Sequence, residues 1–341
     1  MKSWQLWLAA LFGAAVVGVM MVDEFDVSSL RHLHFSPIFF MGLTSAFIFY
    51  IIQNAMLSLR FAHLTRHKIG VLQCFRVSIL CEFTSAVTPS AVGGSGLAFV
   101  YLNREGVTMG RSIFTMFASL MADEGFLGIS SLLVYLLLPT DMLFCFDGPS
   151  AVKTSVYSAH WLKSGMQMVF LGSTLMVCLW TLLLYVLLLH RPQYFSYVLT
   201  MCCRIPFLRR FRERAEKYSN DMRIASSEAK NEGWKFWTLL WVYTAMAWMS
   251  RFAIVVAILI AFGSEGEMIV AWIRQWVIWM VSMLSPSPGG SGIAEIMFRM
   301  YYSDFLPDVS LAILAAMLWR LVSYYPYLLM GAVIIPKCIK R

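Results

Sequence analysis

Charged residues are scarce in this sequence, and their scarcity excludes an ordinary soluble fold. Only 13% of the 341 residues are Asp, Glu, Lys or Arg, whereas 59% are hydrophobic and the mean hydropathy is +0.69. Hydrophobic runs extend from one end to the other, and no polar block is long enough to bury a core of its own. The sequence therefore predicts a single polytopic membrane domain over residues 1–341.

The sequence also lacks the residue spacings on which several chemistries depend. Its seven cysteines form neither a zinc-binding pattern nor a disulfide framework, and the adjacent Cys202 and Cys203 have no matching pair. No nucleophile elbow, phosphate-binding loop, nucleotide fingerprint or metal-ligand motif is present. We therefore expect no metal, no cofactor and no catalytic residue.

The excess of positive charge does not indicate a nucleic-acid partner. The formal net charge is +8, but Lys and Arg gather between the hydrophobic runs, in loops that the positive-inside rule places in the cytoplasm. The first run, about Trp4 to Val22, has no small-residue cleavage site before Asp23, which indicates a retained span. We expect a multi-pass inner-membrane protein with both termini in the cytoplasm.

Two stretches of the chain resemble each other. Residues 88–98 have the sequence TPSAVGGSGLA, and residues 285–294 have the sequence SPSPGGSGIA. Proline cannot continue a helix and glycine frees the backbone, so each stretch is expected to join two half-helices into a re-entrant hairpin. Broken backbone at membrane depth persists only where protein or water covers it, so the two tips are predicted to line a shared cavity.

Hydropathy and charge together predict an all-α integral membrane protein with about six full spans plus two re-entrant helical hairpins. The first hairpin, about residues 71–102, opens to the cytoplasm and the second, about residues 268–301, opens to the outside. The other five spans are predicted at residues 36–59, 112–138, 165–190, 236–262 and 311–335. Residues 1–138 and 164–341 would then form an inverted-topology repeat with a binding site at the midplane.

The basic segment at residues 191–235, within the second repeat, is predicted to be a cytoplasmic linker. Arg60, Arg66 and Lys68, which follow the second predicted span, place that loop on the same side. Within the linker, apolar residues alternate with arginines from Ile205 to Phe211. This pattern fits an interfacial helix on anionic lipid headgroups, and equally a solvated helix whose charges only fix the topology.

The two motifs suit the binding of an anion. Each precedes the start of a half-helix, where free backbone N–H groups and the helix dipole attract negative charge. The candidate contacts to a phosphate or diphosphate headgroup are Ser90, Gly93, Gly94, Ser95, Ser287, Gly289, Gly290 and Ser291. The structural alternative is that these small residues only allow the tips to pack closely.

Ionisable residues within the predicted spans provide further candidates. Arg251 and Arg320 carry guanidinium groups that suit phosphate, and Glu295 stands where a helix-capping carboxylate would also stand. One carboxyl of the adjacent pair Asp123 and Glu124 is expected either to pass protons or to bond Arg111 or Arg76. The positive and negative charges nearly balance when Arg76, Glu82 and Arg274 are included, so plain ion pairs between helices are the alternative.

Residues 88–94 and 287–295, with Arg320, Tyr325, Pro326 and Gly331 in the last span, resemble the transmembrane, flippase-like part of lysylphosphatidylglycerol synthases and their stand-alone relatives. The resemblance covers nearly the whole chain and implies movement of a modified anionic phospholipid between leaflets. In that family a separate soluble domain transfers the amino acid from tRNA. That domain is absent here, so no aminoacyl transfer is expected.

The resemblance favours the two tips, Glu295 and Arg320 as site residues. One departure concerns Ser95, because relatives often have a carboxylate there. If that carboxylate contacts a cationic headgroup, selectivity for the lysyl lipid is in question.

These observations predict a lipid flippase or transporter whose partners are membrane lipids with an anionic headgroup, and no nucleic acid. The alternatives are a transporter of a small soluble anion and a non-catalytic partner of a lipid-modifying synthase. A membrane enzyme that acts on lipid phosphates through Asp123 or Glu124 and Arg320 is a further alternative. A homo-oligomer is compatible with any of them.

Overall fold

The computed structural model describes residues 35–88, 96–144, 156–194, 197, 212–264, 266–285, 287, 289–290, 292–308 and 311–339. All regular elements within these residues are helical, which confirms the predicted all-α class. The predicted first span at residues 4–22 lies outside the described residues.

The helices of the first half are α1 (Pro37–Leu64), α2 (Val71–Val87), α3 (Ala98–Arg104), α4 (Met109–Leu137) and the short α5 (Thr140–Leu143). Those of the second half are α6 (Val156–Tyr185), which continues into a π-helical turn at Val186–His190, α7 (Arg212–Lys230), α8 (Trp234–Ala261), α9 (Met268–Ser282), α10 (Ile293–Tyr302), α11 (Leu311–Ser323) and α12 (Tyr325–Ile339).

Five helical stretches of the described chain are long and apolar enough to cross a membrane, as expected for a multi-pass membrane protein. They are Pro37–Leu64, Met109–Leu137, Lys163–His190, Trp234–Ala261 and Leu311–Ile334. Each lies within a few residues of a span predicted from hydropathy. The helices α2, α3, α9 and α10, which flank the two Pro-Gly motifs, are shorter.

Two boundaries differ from the sequence prediction. Helix α1 begins at Pro37, where the Ser36 hydroxyl accepts a hydrogen bond from the Phe39 N–H, and it continues beyond Leu59 to Leu64. Arg60 therefore belongs to the helix rather than to the following loop. The last span is interrupted at Tyr324, two residues before Pro326, because proline has no N–H to extend the hydrogen bonds of α11.

Helices α1 and α8 cross in close contact at Gly42. A Cβ atom at this position would lie 2.6 Å from both the Ala257 carbonyl oxygen and the Ala261 nitrogen of α8. Only glycine permits this approach, because the neighbouring atoms belong to the backbone and cannot rotate away. The crossing holds the two helices that carry Arg60 and Arg251 side by side.

Helix α7, within the predicted linker, packs against the start of α4. A Cβ atom at Gly110 of α4 would lie 2.5 Å from the Asp221 carbonyl carbon of α7, so the two backbones nearly touch. The Glu228 carboxylate forms ion pairs with Arg66 at 3.1 Å and with the buried Arg111 at 3.3 Å. We refer to Arg66, Arg111 and Glu228 as the latch. The apolar and basic residues 205–211 lie outside the described residues.

Replacing Glu228 with glutamine is expected to loosen α7 without unfolding the helical bundle. The carboxylate is half exposed, so its contribution is modest, about 1 kcal/mol or less. Hydrogen exchange of the α7 amides should increase several-fold in Glu228→Gln and stay unchanged in Arg223→Gln, which alters an exposed residue of the same helix. Equal protection of the α7 amides in the two variants would show that the latch does not hold α7 against α4.

Candidate functional site

A cavity of ≈ 210 Å³ lies among helices from both halves of the chain. Its wall contains residues of α1, α2, α4, α8, α9 and α11, as well as the segment between α9 and α10. Six charged side chains stand in this wall: Arg60, Glu82, Asp123, Glu124, Arg251 and Arg320. Charged side chains within membrane spans are costly, and they concentrate where partners or a polar ligand compensate them.

The interruptions at the two Pro-Gly motifs border this same cavity. Helix α2 ends at Val87, and Ser85 and Ala86 from its last turn line the wall together with Ala98, the first residue of α3. At the second motif, the segment that follows α9 contributes the residues Ser285, Ser287, Gly289 and Gly290.

Tyr324, at the break in the last span, contacts both interruptions. Its hydroxyl donates a hydrogen bond to the Ala86 carbonyl at 2.9 Å. Its ring lies against Gly289, where a Cβ atom would be 2.4 Å from the Tyr324 Cε2 atom. Gly289 also has a φ of +59°, so both its conformation and its surroundings require glycine.

Three ion pairs lie in or next to the cavity wall. The first of them holds the segment between α9 and α10 in place. The Glu295 carboxylate accepts a hydrogen bond from the Gly292 N–H at 2.7 Å and another from Arg320 Nε at 2.8 Å. Arg320 Nη1 donates to the Gly289 carbonyl at 3.1 Å. Glu295 thus caps α10, as its position in the sequence suggested, and it does so while paired with a cation.

The second pair joins Arg60 of α1 to Asp123 of α4. The guanidinium makes two hydrogen bonds to the carboxylate, at 2.5 Å and 2.8 Å, and a third to the Thr244 hydroxyl at 3.2 Å. The Trp248 indole N–H also donates to Asp123, at 2.9 Å. Because the guanidinium and the carboxylate are joined by two hydrogen bonds and each has a further partner, the orientation of both side chains is fixed.

This pairing corrects two of the sequence-based expectations. Arg60 was expected in a cytoplasmic loop, but the longer α1 carries it into the bundle, where it is 3% exposed. The alternative to proton transfer, a bond from Asp123 or Glu124 to Arg111 or Arg76, is also wrong. Arg111 instead pairs with Glu228, and Arg76 bonds Glu105 at 3.2 Å.

The third pair joins Arg251 of α8 to Glu82 of α2 at 2.5 Å. The guanidinium lies over the rings of Trp248 and Trp279, 5.0 Å and 5.2 Å from their centroids. Because Arg251 can only donate, the Gln53 amide is oriented with its oxygen toward it, and this oxygen accepts hydrogen bonds at 2.8 Å and 3.1 Å.

Several buried polar atoms in the cavity wall have no hydrogen-bond partner among the described residues. They are Arg60 Nε, Arg320 Nη2, Glu124 Oε2 and the hydroxyl oxygens of Ser78, Ser119 and Ser282. Leaving such atoms unsatisfied costs about 1–3 kcal/mol each, and more for charged groups. A polar ligand or water in the cavity would satisfy them.

The structure brings most of the predicted site residues together. Asp123, Glu124, Arg251, Ser287, Gly289, Gly290 and Arg320 stand in the cavity wall, and Glu295 lies directly behind Arg320. Arg274, a weaker candidate, lies elsewhere and bonds the Tyr301 carbonyl at 2.6 Å. The candidates that lie outside the described residues are Ser90, Gly93, Gly94, Ser95 and Ser291.

Sequence reasoning missed Arg60, Gln53 and Tyr327 as residues of the cavity wall. A usable signal was present, because Gln53, Leu57 and Arg60 follow the i, i+4, i+7 spacing of one helix face. Because Arg60 was assigned to the loop, the shared helix face of Gln53 and Arg60 was not recognised.

Comparison with known proteins agrees with the resemblance noted from the two motifs. The model of the family described as lysylphosphatidylglycerol synthase TM region matches residues 6–331. The chain belongs to this family. Like this chain, a similar curated protein is a membrane protein, the UPF0104 membrane protein of Archaeoglobus fulgidus. It is 26% identical over 277 residues, which cover 78% of this chain and 76% of the relative.

The match to the lysylphosphatidylglycerol synthase TM region family covers residues 6–331. It therefore includes both motifs and all the charged residues of the cavity wall. This family member is therefore a multi-pass membrane protein with a charged cavity next to its two Pro-Gly motifs.

Proposed function

We propose that this protein moves an anionic or phosphate-bearing lipid between the leaflets of the inner membrane, with the headgroup held in the cavity between the two helix interruptions. The observation that carries the proposal is this cavity, in which residues next to both motifs meet charged side chains with unsatisfied atoms. The proposed role is transport without covalent chemistry on the lipid.

Helix lengths support re-entrant hairpins at both motifs. Helix α2 has 17 residues and α9 has 15, so at about 1.5 Å per residue neither reaches across a hydrocarbon core of about 30 Å. In the proposed topology α2 and α3 enter from the cytoplasm, whereas α9 and α10 enter from the outside. The two halves then form an inverted repeat with cytoplasmic termini, and access to the cavity alternates between the two sides.

The charge arrangement supports a phosphate ligand. Arg320 is only 6% exposed and already pairs with Glu295, but its Nη2 has no partner among the described residues. A phosphate oxygen near Nη2 would gain a charge-assisted hydrogen bond without breaking that ion pair. Gly289 and Gly290, with φ of +59° and +69°, stand in the same wall as Arg320.

The apolar part of the wall favours a lipid over a small soluble anion. Leu57, Phe61, Leu127, Ile278 and Trp279 stand in the same wall as the charged groups. An amphiphilic ligand satisfies both surfaces, because its headgroup meets the charges while the first carbons of its chains meet these side chains.

The direct test measures leaflet exchange in reconstituted vesicles with fluorescent phosphatidylglycerol and a fluorescent polyprenyl phosphate. The wild-type protein is expected to accelerate exchange, and Ser282→Trp is expected to return it to the rate of protein-free vesicles because the indole fills the cavity. The matched control is Leu133→Trp, which adds the same side chain at a 50% exposed position of α4.

If wild-type protein accelerates exchange of no anionic lipid, the proposal is wrong. Thermal stabilisation by soluble anions but by none of these lipids would instead favour transport of a soluble anion.

A further inference from the structure

Among the described residues of the cavity wall, Glu124 is the carboxylate that pairs with no cation. Its neighbour Asp123 has both oxygens bonded to Arg60, and one of them also accepts from Trp248. Glu124 is only 5% exposed, and its Oε2 atom is buried without a hydrogen-bond partner among the described residues. A buried, unpaired carboxylate costs several kcal/mol and is stabilised by binding a cation or a proton.

The other charges around the cavity leave Glu124 as the unmatched one. Arg60 is neutralised by Asp123, Arg251 by Glu82, and Arg320 by Glu295. Within the described residues α3, α6, α7 and α9 place no charged side chain in the wall. The remaining titratable groups there are Cys81, Tyr324 and Tyr327. The described cavity therefore has a negative charge in excess when every acid is ionised.

We propose that Glu124 binds a proton when a phosphate-bearing ligand enters the cavity, so that transport is coupled to the movement of protons. This inference rests on the proposed function and adds the coupling ion. The proton comes from the aqueous phase and adds to the carboxylate, which becomes a neutral carboxylic acid. An incoming anion makes a second negative charge in the same cavity more costly, and proton uptake removes that cost.

The burial of Oε2 favours a proton over a larger cation. The atom is enclosed by protein, whereas an ammonium group of a headgroup would need room for a nitrogen with three or more substituents. A proton needs no such space. By linkage, ligand binding promotes proton binding and a lower pH strengthens ligand binding by the same factor.

The test measures proton uptake when short-chain phosphatidylglycerol, or separately inorganic phosphate, is added to the purified protein in weakly buffered detergent with a pH indicator. We expect about one proton per wild-type chain and none for Glu124→Gln, which keeps the shape of the side chain. Asp141→Asn serves as the control, since it removes a carboxylate that is 84% exposed and outside the cavity wall. It should take up the same number of protons as the wild type.

A second measurement imposes a pH gradient on the reconstituted vesicles. Reversing the gradient should reverse the net direction of lipid movement by the wild-type protein and should have no effect on Glu124→Gln. Equal proton uptake by the wild type and Glu124→Gln, or no uptake with either ligand, would overturn the inference. Loss of binding of an ethanolamine-headed lipid in Glu124→Gln, with no change in protons, would show that the carboxylate holds an ammonium group instead.

These outcomes separate the inference from the proposed function. Lipid exchange that ignores the gradient would refute the proton coupling and leave the flippase proposal intact. Proton uptake with inorganic phosphate in a protein that moves no lipid would refute the flippase proposal and support Glu124 as the proton site.

Discussion

Replacing Arg320 with glutamine is expected to abolish lipid exchange and to lower the free energy of unfolding by about 3–5 kcal/mol. The Arg320 and Glu295 side chains are 7% and 5% exposed, so removing one charge leaves the other buried without its counter-charge. The variant also loses the bond to the Gly289 carbonyl, which holds the second interruption in shape. Thermal unfolding in detergent and the vesicle exchange assay measure the two effects.

A double variant separates the structural role of Arg320 from its role toward the ligand. Glu295→Gln combined with Arg320→Gln buries no unpaired charge at this site, so most of the lost stability should return. Lipid exchange should remain absent, because no guanidinium faces the cavity at this position. Arg223→Gln, at an exposed position of α7, should change neither quantity. Normal exchange by the double variant would show that Arg320 serves only to hold the fold.

Replacing Gly42 with leucine is expected to separate α1 from α8 and to cost about 1–3 kcal/mol of stability or more. The new Cβ would meet the Ala257 oxygen and the Ala261 nitrogen at 2.6 Å, and these backbone atoms can move only with their helix. Because α1 carries Arg60 and α8 carries Arg251, lipid exchange should fall together with the melting temperature.

Gly172 of α6 provides the matched control for this prediction. A Cβ atom there meets nothing within 4 Å, so Gly172→Leu adds the same side chain to a spanning helix without a clash. Its melting temperature should equal or exceed that of the wild type, because leucine favours the helix over glycine by up to about 1 kcal/mol. Equal melting temperatures for the two leucine variants would contradict the close crossing of α1 and α8.

The sequence predicts the helical segments well because membrane spans depend on local hydropathy. The described spans lie within a few residues of their predicted positions, and α2 and α9 end next to the first and the second Pro-Gly motif. The capping position of Glu295 also follows from sequence, since its bond to the Gly292 N–H joins residues three apart.

The partners of the charged residues do not follow from sequence, because each pair joins distant segments. Arg60 and Asp123 are 63 positions apart, and Arg251 and Glu82 are 169 apart. The near balance of charge indicated ion pairs, but it contains no information about which helices meet. Arg60 was assigned to a loop because an arginine at the end of an apolar run resembles a topology signal until its buried acceptor is known.

The contact of Tyr324 with both interruptions has a mechanical consequence. A tilt of α2 that carries Ala86 away from the cavity must either break the hydroxyl bond of Tyr324 or pull the break in the last span along with it. The same ring lies against Gly289, so this movement also reaches the second motif. In the proposed topology, movement of one hairpin is therefore coupled to movement of the other through the Tyr324 side chain, and opening the cavity to both sides of the membrane at once would require the Tyr324–Ala86 hydrogen bond to break.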